Sequence, residues 1–173
     1  MGLVRVRWLL AVTAVLVPAF AVADALPIGA GLPQATHVVV DKSDRRLELW
    51  RGSEVLRRYP ISLGLAPEGH KRQEGDFRTP EGRYRLTARN PRSDFFLSIQ
   101  VSYPNEADRT RARREGVAPG GQIMIHGLPN VPRWSPEYYA REDWTDGCIA
   151  LNNADMMEVW MLVPLGIPIE IRP

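Results

Sequence analysis

The 173-residue sequence has one cysteine and three histidines, and these small numbers exclude several kinds of protein. One cysteine cannot form a disulfide within its own chain, so a disulfide-stabilised framework is excluded. After residue 25 no apolar run is long enough to cross a bilayer. The chain also lacks internal repeats and low-complexity tracts. Its 45% hydrophobic and 24% charged residues are ordinary for a globular domain and exclude general disorder.

The N-terminus has the composition of a secretory signal peptide. Two arginines precede an apolar run over residues 8–17, and small residues follow in Ala-x-Ala frames. We therefore expect residues 1–23 to be a signal peptide, cleaved after Ala23 or Ala25. An uncleaved membrane anchor is the alternative, although the apolar run is short for one.

The charge balance does not indicate a polyanionic partner. The chain has 22 Lys and Arg against 20 Asp and Glu, and cleavage after Ala23 would remove two arginines and leave 20 of each sign. The sequence therefore does not favour a nucleic-acid partner. Four arginines in residues 105–116 are interleaved with acidic residues, which favours a solvated helix face over a phosphate or wall-polymer site.

Local patterns predict a mostly β fold with a few short helices. Residues 24–36 are rich in Pro, Gly and small residues and predict a linker before a single domain, residues 37–173. β-branched and alternating residues predict strands over residues 37–64, with a hairpin turn at Arg51-Gly52-Ser53. Further strands are predicted at residues 83–90, 95–104, 167–173 and up to His126, helices at 105–116, from Ser135 and from Asn152 or Asn153, and a long loop at 65–82.

The lone Cys148 lies in the stretch DWTDGCIALNN, directly after Gly147. Thiols outside the cytoplasm tend to be oxidised, so an exported Cys148 is either buried and inert or kept for its chemistry. Attack on a carbonyl needs a base near the thiol and donors for the oxyanion. Gly147 allows close approach of the backbone and can turn its N–H towards a developing negative charge.

The base has three candidates. His37 begins the first strand and His70 lies in the charged loop, so both are expected at the surface. His126 ends an apolar strand and is followed by Gly127, which places its side chain at a sheet edge beside a flexible turn. Taken together with Cys148, 22 positions later, His126 is the natural base.

Three ordered motifs resemble the YkuD-like L,D-transpeptidase catalytic domain family. They are IMIHGLPN with the later TDGCIAL, the upstream GDFRTPEGRY, and the opening strands that lead to a Ser-x-Gly turn. The resemblance covers roughly residues 37–172. It implies a β-sandwich or mixed-sheet domain, exported to the periplasm or cell wall, that needs no metal or other cofactor.

The resemblance further implies a cysteine acyltransferase of cell-wall biogenesis and cell shape. In the family the cysteine attacks the carbonyl of the third-position diamino acid of a peptidoglycan stem, expels the terminal D-alanine and holds the stem as a thioester. An amine then resolves the thioester. Another stem gives a 3-3 crosslink, a lysine of a wall-anchored lipoprotein gives an attachment, and a free D-amino acid gives exchange. Carbapenem-type inhibitors are expected to acylate the same thiol.

Individual roles carry over by position. Cys148 matches the family nucleophile, His126 the base, and the backbone of Gly147 and Cys148 the oxyanion donors. The motif around Asp76 matches a structural loop near the site. The expected substrate contacts are Thr145, which matches the family Ser/Thr position and orients the turn, together with Gly127, Trp134 and Arg141.

Two positions depart from the family pattern. The usual His before Gly-Cys is Asp146, and the usual Arg two positions after the cysteine is Ala150. An ionised Asp146 would raise the thiol pKa by repulsion, unless it pairs with His126 and orients it as in a Cys-His-Asp triad. Loss of the arginine removes a ready partner for a substrate carboxylate. The candidates to replace it are Arg78, Arg133 and Arg141.

Other interpretations stay open. Water could resolve the thioester, which would make the protein an L,D-carboxypeptidase or an amidase that releases wall-linked protein. The domain could be a catalytically silent peptidoglycan-binding module. A metal site of His126, Asp146 and Cys148 lacks a paired short-spacing ligand motif. The aromatic connection between His126 and Cys148 is either a lid over a peptide groove or the packing of a subdomain helix.

Overall fold

The computed structural model describes residues 31–173, which form eight strands and three helices around one hydrophobic core. The mostly β class with a few short helices, predicted from the sequence, is confirmed. The strands are β1 (His37–Asp41), β2 (Arg46–Arg51), β3 (Glu54–Pro60), β4 (Gly82–Ser93), β5 (Phe96–Val101), β6 (Met124–His126), β7 (Ile149–Ala150) and β8 (Pro168–Arg172), and the helices are α1 (Glu106–Glu115), α2 (Pro136–Arg141) and α3 (Asn153–Leu162).

The strands form one mixed sheet in the order β3-β2-β1-β8-β4-β5-β6-β7. The pairs β1 with β8 and β6 with β7 are parallel, and the other neighbouring pairs are antiparallel. β4 has 12 residues and pairs with β8 at its start and with β5 along the rest of its length. β4 therefore joins β3-β2-β1-β8 on one side to β5-β6-β7 on the other. β6 and β7 are the last two strands at one end of the sheet.

The core consists of apolar side chains from the sheet and from α3. Leu47, Ile99 and Ile125 are fully buried, and Met156 and Val159 of α3 are buried with them. Burial of one such side chain contributes about 1.5–3 kcal/mol. These residues therefore stabilise the sheet that includes β6 and β7.

Turns and helix ends follow local sequence signals. The β2–β3 hairpin turns at Gly52, whose φ of 60° is a conformation that glycine adopts without strain. α1 begins with a capping box and ends at Gly116 in the left-handed region. Ser135 and Asn152 cap α2 and α3 as predicted, each by accepting a backbone N–H.

The charged helix α1 is only partly solvated. Asp108 is 3% exposed, and its carboxylate accepts hydrogen bonds from the Tyr84 hydroxyl at 3.1 Å and from Arg111 at 3.2 Å. His70 lies 3.1 Å from the same carboxylate, and its Nδ1 accepts a backbone N–H. The prediction of a surface His70 is therefore wrong, because its side chain is half-buried against Asp108. The predicted solvated face is confirmed for three of the four arginines, which are exposed, while Arg111 is half-buried. A buried carboxylate needs hydrogen-bond partners, and His70 and Arg111 supply them here.

The predicted signal peptide, residues 1–23, and residues 24–30 of the predicted linker lie outside the described residues. The end of the predicted linker packs against α3, because Ala35 is 2% exposed and its N–H donates to the Leu162 carbonyl at 2.8 Å. Within residues 31–173, no helix combines the length and apolarity needed to span a membrane.

Candidate active site

The parallel pairing of β6 with β7 places His126 and Cys148 on one face of the sheet. Ile125 lies opposite Ile149, and His126 lies opposite Ala150. Side chains alternate along a strand, so the buried Ile125 and Ile149 face the core. His126 and Cys148, which lies one residue before β7, face the other way and line one large cavity.

The Cys148 thiol is partly buried and has two backbone neighbours. Its Sγ accepts the Met124 N–H and donates to the Gln122 carbonyl, both at 3.4 Å. Burial raises the pKa of the thiol and the Asp146 charge raises it further, while the Met124 N–H and the Lys71 ammonium oppose the rise. The resting group is therefore a thiol, which needs a base to become a nucleophile.

His126 is 4% exposed and is held as a neutral base. Its Nδ1 lies 2.7 Å from the Gly127 carbonyl oxygen, which can only accept, so Nδ1 carries the proton and Nε2 has a free lone pair. The ring centroid lies 4.7 Å from that of Phe95 and 5.6 Å from that of Trp144. Burial, to which these two rings contribute, lowers the pKa of His126 to about 4. At neutral pH the imidazole can therefore accept a thiol proton.

The Thr145 hydroxyl holds the turn that carries Cys148. Its Oγ1 donates to the Cys148 carbonyl at 2.7 Å and accepts the Gly147 N–H at 3.1 Å. Gly147 has a φ of 125°, and a Cβ there would lie 2.6 Å from the Arg78 carbonyl oxygen, so only glycine fits. The Gly147 N–H, predicted as an oxyanion donor, is thus engaged within the turn. Thr145, predicted as a substrate contact, uses its hydroxyl to position Cys148.

Two of the predicted substrate contacts lie outside the cavity lining. Gly127 accepts the His126 Nδ1–H and donates its own N–H to the Phe95 carbonyl at 3.1 Å. A Cβ on Gly127 would lie 2.6 Å from Asn153 Oδ1, so the close packing excludes a side chain. Gly127 therefore positions the base. Arg141 is exposed at the end of α2, away from the cavity lining.

The two departures from the family pattern have different surroundings. Asp146 is exposed, lines the cavity, and has no hydrogen-bond or ion-pair partner among the described residues. It does not form a triad with His126, whose Nδ1 bonds to Gly127 instead. Ala150 is 2% exposed and pairs with Ser62 through two backbone hydrogen bonds of 2.9 Å. The alanine side chain at this position is therefore covered by the chain itself.

The cavity shared by His126 and Cys148 has a volume of about 1220 Å³, which exceeds that of an ordinary small-molecule pocket. Of the three arginines considered as replacements for the family arginine, Arg133 lines it. Lys71 also lines it, but its ammonium is paired with Asp76 at 2.7 Å. In the part of the chain that the structure describes, no three His, Cys, Asp or Glu side chains are grouped to hold a metal ion.

Aromatic residues of the β6–β7 connection form one wall of the cavity. The Trp144 ring lies 6.1 Å from that of Phe95 and 5.0 Å from that of Tyr139. The Tyr139 hydroxyl accepts the Arg133 N–H at 3.1 Å, which fastens α2 beside the cavity. Trp134 is 60% exposed at the cavity. The connection therefore packs as a small subdomain and also offers an aromatic surface to a ligand.

The loop of the GDFRTPEG motif supports the turn that carries Cys148. Asp76 accepts three backbone N–H groups and the Lys71 ammonium, which holds the loop in one shape. Thr79 accepts the Gly64 N–H at 3.2 Å, and a Cβ on Gly64 would collide with the Phe77 carbonyl oxygen. This close backbone contact presses the loop against the Cys148 turn.

Four residues of the site carry no signal for it in the sequence. Phe95 contacts His126 from the turn between β4 and β5, where the sequence predicts an ordinary strand residue. Lys71 lines the cavity from the charged loop, where the sequence predicts a solvated side chain. Met124 and Gln122 act on the thiol through backbone atoms, so residue type gives no signal. Only the tertiary arrangement identifies these four.

Comparison with known proteins shows which family this site is similar to. The family model of the L,D-transpeptidase catalytic domain (YkuD) matches residues 35–171. YafK of Escherichia coli (strain K12), an L,D-transpeptidase by name, is 26% identical over 133 residues, which cover 73% of this chain and 46% of YafK.

Two solved structures share the fold. The helical cell shape determining protein Pgp2 from Campylobacter jejuni is 26% identical, with a TM-score of 0.60, over 81% of this chain and 48% of Pgp2. Bd1075 of Bdellovibrio bacteriovorus is 27% identical, with a TM-score of 0.55, over 80% of this chain and 48% of Bd1075. The chain thus spans about half the length of these relatives.

Proposed function

The chain belongs to the L,D-transpeptidase catalytic domain family, and from this premise we propose that it is an exported cysteine acyltransferase acting on peptidoglycan stem peptides. One observation carries the proposal. The Cys148 thiol and the neutral His126 imidazole line the same cavity from one face of the β6–β7 pair. A thiol with a raised pKa and, in the same cavity, an imidazole with a free Nε2 lone pair support general-base activation of the nucleophile.

In the first step, His126 Nε2 takes the thiol proton as Cys148 Sγ attacks the carbonyl of the third-position diamino acid. The candidate oxyanion donor is the Cys148 N–H, which has no hydrogen-bond acceptor among the described residues. Breakage of the carbon–nitrogen bond then transfers the proton from His126 to the amine of the leaving D-alanine. The stem remains on Sγ as a thioester.

In the second step, an amine attacks the thioester and Sγ leaves as the thiol. The acceptor amine is the diamino acid of another stem, a lysine of a wall-anchored lipoprotein, or a free D-amino acid. If water attacks instead, the protein is a carboxypeptidase or amidase. A carbapenem offers the same thiol a strained acyl group, so it serves as a probe of the nucleophile that is independent of the acceptor.

Export is part of the proposal and rests on the sequence of residues 1–23. In a periplasmic or wall-associated fraction of the native host, the mature protein is expected to begin after Ala23 or Ala25. Mass spectrometry of its N-terminal peptide checks this. A full-length N-terminus that stays with the membrane would identify an anchor instead.

The deciding experiment is intact-mass spectrometry of the protein incubated with tetrapeptide muropeptides, and separately with a carbapenem. Wild-type protein should gain the mass of the stem without its terminal D-alanine, or the mass of the drug. Cys148→Ala should gain neither mass and should keep the circular dichroism spectrum of the wild type. Muropeptides in the supernatant are analysed in the same samples.

The products distinguish the candidate activities. An adduct together with 3-3 dimers supports the transpeptidase, and an adduct with only shortened or released monomers supports the hydrolase. Absence of both adducts from the wild type would overturn the acyltransferase and favour a silent peptidoglycan-binding module. Turnover that survives in Cys148→Ala would exclude Cys148 as the nucleophile.

A further inference from the structure

An unpaired carboxylate lies beside the nucleophile. Asp146 is two residues from Cys148, is exposed to the cavity, and has no hydrogen-bond or ion-pair partner within residues 31–173. Its charge opposes formation of the thiolate, so it works against the first chemical step. No hydrogen bond or ion pair within residues 31–173 ties the carboxylate to the turn either. A carboxylate that opposes thiolate formation and has no described partner is available to bind a ligand.

The charges around the cavity favour a cation. Three carboxylates line it, while one of its two cationic side chains, Lys71, is already neutralised by Asp76 outside the lining. The other, Arg133, lies on the aromatic connection. A cavity with an excess of one charge concentrates ligands of the opposite charge. The three carboxylates are those of Glu74, Asp94 and Asp146.

Amine acceptors are cations before they react. A lysine side chain, a diamino acid side chain and most free amino groups are ammonium ions at neutral pH. Each must reach the acyl carbon on Cys148 Sγ. Of the three cavity carboxylates, that of Asp146 is nearest to Cys148 along the chain. Attraction between the ammonium and Asp146 would place the nitrogen near the thioester.

We propose that Asp146 binds the ammonium group of the amine that resolves the Cys148 thioester, and so selects primary alkylamines as acceptors. The inference rests on the proposed function and adds the chemistry of the second substrate. The bound ammonium loses one proton to solvent, and the neutral amine attacks the thioester carbon. A second proton passes from nitrogen to His126 Nε2. The carbon–sulfur bond then breaks, and His126 protonates the leaving sulfur, which yields an amide and the free thiol.

The test separates acceptor binding from acylation. The acyl-enzyme is formed from a tetrapeptide stem and followed by intact mass, and its loss is then measured against increasing Nα-acetyl-lysine, a charged amine. A parallel series uses hydroxylamine, an amine that is uncharged at neutral pH. The variants are Asp146→Asn, Asp146→Glu and, as a charge-matched control outside the cavity lining, Glu142→Gln.

Asp146→Asn should form the acyl-enzyme at least as fast as the wild type, and its reaction with hydroxylamine should be unchanged. Its KM for Nα-acetyl-lysine should rise about two- to fivefold, the loss expected for one exposed charge pair. High salt should raise the wild-type KM for Nα-acetyl-lysine towards that of Asp146→Asn, because salt screens the attraction between the charges. Asp146→Glu should keep the preference for the charged amine, and Glu142→Gln should behave as the wild type.

Equal changes for both amines, or no change for either, would overturn the role of Asp146. Loss of acylation in Asp146→Asn would also overturn it, because the carboxylate would then act in the first step. Failure of the wild type to form any acyl-enzyme would overturn the proposed function itself. The two failures are therefore distinguishable in one set of mass spectra.

Discussion

His126 lies directly opposite Ala150 across the parallel pair β6 and β7. Cys148 precedes Ala150 by two residues, so the period of two along a strand places the thiol on the same face as the imidazole. A shift of one residue in this register would turn Cys148 towards the core and Ile149 towards the cavity. The pairing of two very short strands thus decides whether a thiol and a base can meet.

Removal of the Asp146 charge should make the thiol more reactive. The carboxylate raises the pKa of Cys148, so Asp146→Asn lowers that pKa and increases the thiolate fraction at neutral pH. We expect faster alkylation by iodoacetamide at pH 7 and a pH–rate curve displaced to lower pH. Lys71→Met should displace the curve in the opposite direction, since the ammonium lowers the thiol pKa. Displacement of both variants in the same direction would contradict this electrostatic account.

His126 should make stability depend on pH in the acid range. Its pKa is lowered from 6.5 to about 4 in the folded protein, so the unfolded chain binds more protons between these values. The free energy of unfolding should therefore fall as the pH decreases from 6.5 to 4, by about 3 kcal/mol from this group. Urea unfolding of wild type and His126→Gln across this range isolates the contribution. Parallel curves for the two proteins would show that His126 is not buried as a neutral group.

Phe95 should set the acid limb of activity through its contact with His126. Its ring centroid lies 4.7 Å from that of the imidazole, so Phe95→Ala admits water to the base. The pKa of His126 should then rise towards its ordinary value, and the acid limb of carbapenem acylation should move up from about pH 4. Phe77→Ala is the matched control, because Phe77 lines the cavity, whereas the aromatic rings against His126 are those of Phe95 and Trp144. A shift in both variants would point to a general opening of the cavity.

Addition of a side chain at Gly64 should destabilise the protein as much as a substitution in the core. A Cβ there would collide with the Phe77 carbonyl oxygen and lie 3.0 Å from the Gly147 Cα. Gly64→Ala is expected to lower the free energy of unfolding by about 2 kcal/mol or more and to reduce thiol acylation, since the Cys148 turn is displaced. Gly121→Ala, whose Cβ would meet only Pro104 at 4.0 Å, should change stability by less than about 1 kcal/mol. Chemical denaturation of both variants checks the contrast.

Much of the fold was predictable because its signals are local. Helix caps, the Gly52 turn and strand alternation depend on residues a few positions apart, and the structure places them as predicted. The prediction failed for His70, whose partner Asp108 lies 38 residues away, because local composition does not reveal a distant buried carboxylate. The site shows the same division between local and distant contacts.

Within the site, the order of residues was enough to propose Cys148 and His126 as partners, because the chain has one thiol, set directly after a glycine, and a histidine at the end of an apolar strand. It was not enough to show that Nδ1 bonds to the Gly127 carbonyl, that the Gly147 N–H is engaged by Thr145, or that Asp146 has no described partner. A sequence does not show which backbone groups are hydrogen-bonded to each other, or whether a carboxylate has a partner. Their partners depend on the register of β6 against β7 and on the loops packed over it, and long-range packing settles both.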